Sequence, residues 1–129
     1  MKTFRVQARV AACVGAIVLL LQISQAQAQT YSYAFQFGGL GRGDGQLYGT
    51  FGVATASSGN IIVTDYYNSR VQIFDSQGTF LLKFGTPGVG CDGCFYYPVG
   101  VAVDATGNIY VADSNNNRIQ VFTPGGGSS

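Results

Sequence analysis

The sequence has 129 residues, seven basic against six acidic side chains, and no histidine. Without histidine a Ser/His/Asp catalytic set is excluded, all six acids are aspartates, and the near-balance of charge argues against nucleic acid, whose phosphates demand a basic face. Nineteen glycines, nine phenylalanines and eight tyrosines in a lightly charged chain suit an all-β protein rather than a disordered one.

The chain opens with Lys2, Arg5 and Arg9, followed by an uncharged apolar run from Val10 to Leu21. That run is shorter than the roughly 20 residues a bilayer span needs. Ala26-Gln27-Ala28 then has the small-x-small spacing of a signal-peptidase site. Residues 1–28 are therefore expected to be a signal peptide, with the mature chain starting at Gln29, secreted or periplasmic and off the membrane after cleavage. Cleavage removes three basic residues and no acidic one, leaving four basic against six acidic, a net charge of −2.

From Tyr31 to Gly38, Tyr33, Phe35 and Phe37 alternate with Ser32, Ala34 and Gln36, which predicts a strand over 31–38. A repeat follows. Gly52 to Phe74 and Gly100 to Phe122 align without a gap at an offset of 48 residues. Gly59-Asn60 matches Gly107-Asn108, and Asp65, Asn68, Arg70, Gln72 and Phe74 match Asp113, Asn116, Arg118, Gln120 and Phe122. Each copy reads as short strands joined by tight Gly-Asn and Asn-rich turns. The first copy adds the turn Asp75-Ser76-Gln77-Gly78 and a fourth strand, Thr79 to Phe84. A blade over 49–85 and a partial blade over 98–122 are expected, then a Gly/Ser tail, 125–129. Within the second copy, Ile109 to Asp113 has two apolar faces and should be buried on both. Ile119 and Val121 should point inward and Gln120 toward the wetter side. A 48-residue period with four antiparallel strands is the mark of a β-propeller blade.

Pro98-x-Gly-Val-Ala-Val-Asp, Gly-Asn-Ile-Tyr-Val-Ala-Asp and Asn-x-Arg-Ile-Gln-Val-Phe, in this order and spacing, resemble the NHL repeat. The resemblance covers nearly the whole mature chain and implies an all-β fold of two NHL-type blades. The first copy departs from it at Thr50, where the second has Pro98, and at Thr55-Ala56, where the second has Val103-Asp104. Asp104 is therefore not expected to serve a function common to both blades.

Asp65 with Arg70, and Asp113 with Arg118, flank the turn between second and third strands. Recurrence in both copies points to structural turn caps. Cys91 and Cys94 lie in the connection between blades. A zinc site would need a second pair or a histidine, and a redox pair would need a helix N-terminus; a local disulfide is the expectation, with no metal and no cofactor. In the blade strand order, inter-blade connections and second-to-third-strand turns share one face. That brings Tyr48, Tyr66, Tyr67, Asn68, Tyr96, Asn115 and Asn116 together as candidate ligand-binding residues, suited to a protein, peptide or glycan. Phe95 and Tyr97 either join them or plug gaps between blades. Asp44 and Asp92 are the acidic pair an enzyme would have to use near that face.

The expected function is a secreted, non-enzymatic binding module. The rival readings are a fragment of a propeller lyase or hydrolase, or a truncated reading frame. Some NHL-like propellers are lyases with histidine-held metal, and that chemistry does not transfer to a chain without histidine. Two blades cannot close a ring. If the chain is whole, strand 31–38 of one copy could complete the last blade of the next, giving a homotrimer of six blades; otherwise the chain is a piece of a longer propeller.

Overall fold

The computed structural model describes residues 28–125. All of the expected signal peptide except Ala28, and tail positions 126–129, lie outside the described residues. The chain divides into two units, one up to Ala34 and one from Phe35 onward. In the first unit, residues 28–34 are exposed and carry no strand.

The second unit holds two successive antiparallel sheets. β1 (Thr50–Thr55), β2 (Ile61–Asp65), β3 (Arg70–Phe74) and β4 (Phe80–Phe84) form a four-stranded meander in the order β1-β2-β3-β4. A short parallel pair, β5 (Thr86–Pro87) with β6 (Cys94–Phe95), follows. β7 (Pro98–Val103), β8 (Ile109–Asp113) and β9 (Arg118–Phe122) form a three-stranded meander. The repeat extends to detail. Both first strands carry a bulge, between Thr50 and Val53 and between Pro98 and Val101. Both second-to-third pairings run in one register, Asp65 opposite Arg70 and Asp113 opposite Arg118.

The core lies between the two sheets. Ile62, Val71, Phe95 and Val111 are its buried residues, flanked by Ile73, Phe84, Val101, Val103, Ile109 and Phe122. Gly52 is needed at this joint, because a Cβ there would stand 2.5 Å from the Val99 carbonyl oxygen. The Thr64 hydroxyl accepts from the Gly52 N–H at 2.8 Å and donates to the Val99 carbonyl at 2.8 Å, tying one sheet to the other.

Three expectations need correction. No strand forms over 31–38: a strand is completed by its neighbour's N–H and C=O groups, and these residues have no ladder partner among the described residues. Phe37 nevertheless lies against Phe74, ring centres 4.9 Å apart. β8 is not buried on both sides, since Tyr110 is exposed and Ala112 half-buried; its copy β2 is, because the second sheet covers it. In β9 the inward side is reversed. Ile119 and Val121 are exposed while Gln120 is half-buried, because its amide is drawn to a buried aspartate described below.

Candidate functional site

Asp65 and Asp113 are fully buried, each at the end of a second strand. Burying a carboxylate is tolerable only if it is well paired. Asp65 accepts from the Tyr48 N–H at 2.7 Å, Arg70 Nε at 2.7 Å, Asn68 Nδ2 at 2.9 Å and Gln72 Nε2 at 3.1 Å. Asp113 repeats the set with the Tyr96 N–H at 2.7 Å, Arg118 Nε at 2.9 Å, Asn116 Nδ2 at 2.8 Å and Gln120 Nε2 at 3.1 Å. Burial pushes the Asp113 carboxyl up, but the donors from Tyr96, Asn116 and Arg118 outweigh it and hold the group below its ordinary value.

The same side chains reach out to the preceding loop. Arg70 Nη2 donates to the Gly43 and Gln46 carbonyls at 2.8 and 2.9 Å. Arg118 Nη2 donates to the Cys91 and Cys94 carbonyls at 2.6 and 2.9 Å. Asn68 and Asn116 also reach carbonyls of their own loops, Gly41 at 2.9 Å and Gly88 at 3.1 Å. Each buried aspartate therefore clamps an inter-blade loop to its sheet. Cys91 and Cys94 are joined in a disulfide within the second such loop, Cα atoms 5.4 Å apart.

These clamps position a surface of aromatic rings. Tyr48 meets Tyr67 at 4.7 Å between ring centres, and Tyr67 meets Tyr66 edge-on at 4.8 Å. Tyr66 packs between Phe51 at 4.5 Å and Tyr97 at 4.7 Å, stacked on the latter. Tyr97 in turn stacks with Tyr96 at 4.7 Å. Six rings thus run without a break from the first repeat to the second. Tyr48, Phe51, Tyr67 and Tyr96 are exposed; Tyr66 and Tyr97 are half-buried beneath them. Asn115 is exposed beside them, its N–H donating to the Tyr96 carbonyl at 3.1 Å.

Tyr97 is held at φ 59°, a left-handed conformation costly for a bulky side chain. The position 48 residues earlier is Gly49, with φ 76°. The turn demands positive φ in both copies, and only the second places a ring there.

Of the residues expected on a binding face, the structure groups Tyr48, Tyr66, Tyr67, Tyr96 and Asn115. It removes Asn68 and Asn116, whose amides are spent on the buried aspartates and loop carbonyls. Phe95 is also removed: it is buried between Phe84 and Phe122, ring centres 6.3 and 5.6 Å away. Asp44 is engaged by Lys83, and Asp92 lies beside the β9 edge. Phe51, Gln72 and Gln120 were missed. The signal for the glutamines was present, as the fixed spacing Asp-x2-Asn-x-Arg-x-Gln in both repeats. Phe51 had none, because its counterpart is Val99.

Asp104 has a different, local role. Its carboxylate accepts from the Thr106 hydroxyl at 2.8 Å, the Asn108 N–H at 2.9 Å and the Tyr110 hydroxyl at 3.1 Å. Those bonds, Thr106 first, hold it well below the ordinary carboxylate range.

The NHL repeat family model matches residues 52–74 and 95–122. Protein lin-41 of Caenorhabditis elegans is 46% identical over 43 residues, which is 33% of this chain and 4% of that protein. A streptogramin B lyase structure superposes with a TM-score of 0.51 at 19% identity, covering 61% of this chain and 24% of that one. The chain thus spans a small part of the length of these proteins, and the likeness to the lyase is one of fold. The repeated strands, bulges and buried aspartate clamps, together with these matches, establish that the chain carries two NHL repeats folded as β-propeller blades.

Proposed function

We propose that the chain is an exported, non-enzymatic binding module that takes a polypeptide partner on its tyrosine face. The observation that carries this reading is the continuous run of six rings drawn from both repeats. Tyrosine offers wide contact area, few rotatable bonds and a hydroxyl, and it is enriched among residues that dominate binding energy. Retention of Tyr97 in a strained conformation supports a demand for a ring at that point. Two of the six aspartates are consumed internally as clamps, which leaves little for acid–base chemistry.

Selection of a displayed peptide library on the purified chain tests the proposal. Selected peptides should lose at least about tenfold in affinity to a Tyr67→Ala/Tyr96→Ala variant with an unchanged circular dichroism spectrum, on the order of 1.4 kcal/mol. Both rings are exposed, so their truncation removes contact area rather than core. Peptides that bind the variant equally well would sink the proposal. Sugars captured on a glycan array, and lost with the same variant, would replace the polypeptide by a carbohydrate.

Export is supported by the basic start, the apolar run and Ala26-Gln27-Ala28, and by a disulfide of the kind that persists in oxidising compartments. N-terminal sequencing of protein recovered outside the cytoplasm should begin at Gln29. Finding Met1 there would end this part of the reading.

A further inference from the structure

The two sheets meet through unlike faces. The first sheet presents Ile62, Thr64, Val71 and Ile73; the second, with Phe95 of β6 beside it, receives them with Val101 and Val103. Because the repeat has a fixed 48-residue offset, these positions have counterparts outside the contact. The counterparts of the presenting face are Tyr110, Ala112, Ile119 and Val121. Those of the receiving face are Leu47, Val53 and Thr55.

Exposure separates the two sets. Val71 is 0% exposed and its counterpart Ile119 is 63%; Ile62 is 1% and Tyr110 is 38%. On the other side, Val101 packs into the core while Val53 is 67% exposed. Phe95 is buried while Leu47 is half-buried. The molecule therefore carries a second presenting face and a second receiving face. Both remain largely apolar among the described residues; the receiving face is covered in part, where Phe37 lies against Phe74 and Val63 is buried, and stays open at Val53. Contiguous exposed apolar surface of this kind marks an interaction site.

We infer that a second copy of this chain docks its first sheet onto the second sheet of the first copy, repeating between molecules the contact that joins the two sheets within one. The chain itself supplies the template. Gly100 stands where Gly52 does, and a Cβ built there meets only the Ala112 side chain at 3.5 Å, so room for an approaching backbone is preserved.

The open edge of β9 fits the same scheme. β3 pairs with β4 through Val71 opposite Phe84 and Ile73 opposite Leu82. Residues 35–38 end in Phe37-Gly38 as β4 ends in Phe84-Gly85. Phe37 covers Phe74 at 4.9 Å as Phe84 covers Phe122 at 4.5 Å. The segment already lies against its own first sheet as a preceding fourth strand would. In the docked pair, Phe37 of the second copy comes opposite Ile119 and Phe35 opposite Val121, adding a fourth strand to β9.

A contact between unlike faces is head-to-tail and closes only as a ring. Propellers hold about four to eight blades, so a ring built from these two repeats alone closes with two to four copies.

Sedimentation velocity over a range of concentrations tests this. The wild-type chain should sediment as a closed oligomer, and Val121→Lys and Val53→Lys should each be monomeric with unchanged circular dichroism, both positions being exposed in the single copy. Mixing the two variants is the decisive arm. Each keeps the face that the other has lost, so the mixture should form a dimer that neither makes alone. A monomeric wild type, single variants that assemble as the wild type does, or a mixture that stays monomeric would each overturn the inference. The result is independent of the proposed binding partner.

Discussion

Asp65→Ala should lower the unfolding free energy by about 3–5 kcal/mol, the cost of removing one partner from a buried ion pair. The substitution leaves the Arg70 guanidinium, whose side chain is 8% exposed, without its counter-charge, deprives the Tyr48 N–H of its acceptor and takes one of two acceptors from the Gln72 amide, which keeps the Gln46 carbonyl. A domain of ordinary stability has only about 5–15 kcal/mol in total. The expected readout is a urea midpoint shifted far to the left, with loss of the loop that carries Tyr48. Asp65→Asn keeps an oxygen for the Tyr48 N–H but not the charge, and should fall between the two. A loss below about 1 kcal/mol would mean that the pair behaves as a surface salt bridge.

The acid dependence of stability follows from the second clamp. The Asp113 carboxyl is held below its ordinary value in the folded chain. Its contribution is therefore present above the unfolded value, near pH 3.9, and is lost as pH falls through the lower folded value. Asp104 acts in the same sense. Stability should stay level from neutral pH to about pH 5 and decline below about pH 4, and the decline should shrink in Asp113→Asn.

Phe95→Ala should cost about 3–5 kcal/mol, the usual loss for a buried aromatic replaced by alanine. Phe95 is fully buried at the joint between the sheets, with Phe84 and Phe122 around it and Gly85 closing over its ring. The cavity opens where the second sheet meets the first, so the two sheets should lose their common unfolding transition. Phe95→Leu refills most of the volume and should cost less than about 1.5 kcal/mol. Equal denaturation profiles for the wild type and Phe95→Ala would show that the joint does not hold the sheets together.

The blade was legible in the sequence because its determinants are local and repeated. Gly59-Asn60 and Gly107-Asn108 specify turns by their own backbone preferences, and alternating apolar residues specify strands of period two. Two copies in one register left little room for another fold. The tyrosine face was also largely legible, because strand order alone puts the inter-blade loops and the second-to-third-strand turns on one side.

Which side of each strand is buried was not legible. Alternation tells that Ile119 and Val121 share a face, but not whether a neighbour covers it, and Gln120 turned inward because Asp113 needed its amide. Asn68 and Asn116 looked like rim residues by type and position, yet buried charge claims donors before a ligand can. The strand expected over 31–38 failed for a related reason: its sequence is suitable, but hydrogen bonds of a sheet are made between strands, and its partner strand is absent from the described residues. Turn chemistry and strand periodicity, both local, define the unit that repeats. Which copies of each apolar position are covered follows from the packing of neighbouring sheets, because burial depends on the neighbour and not on the residue.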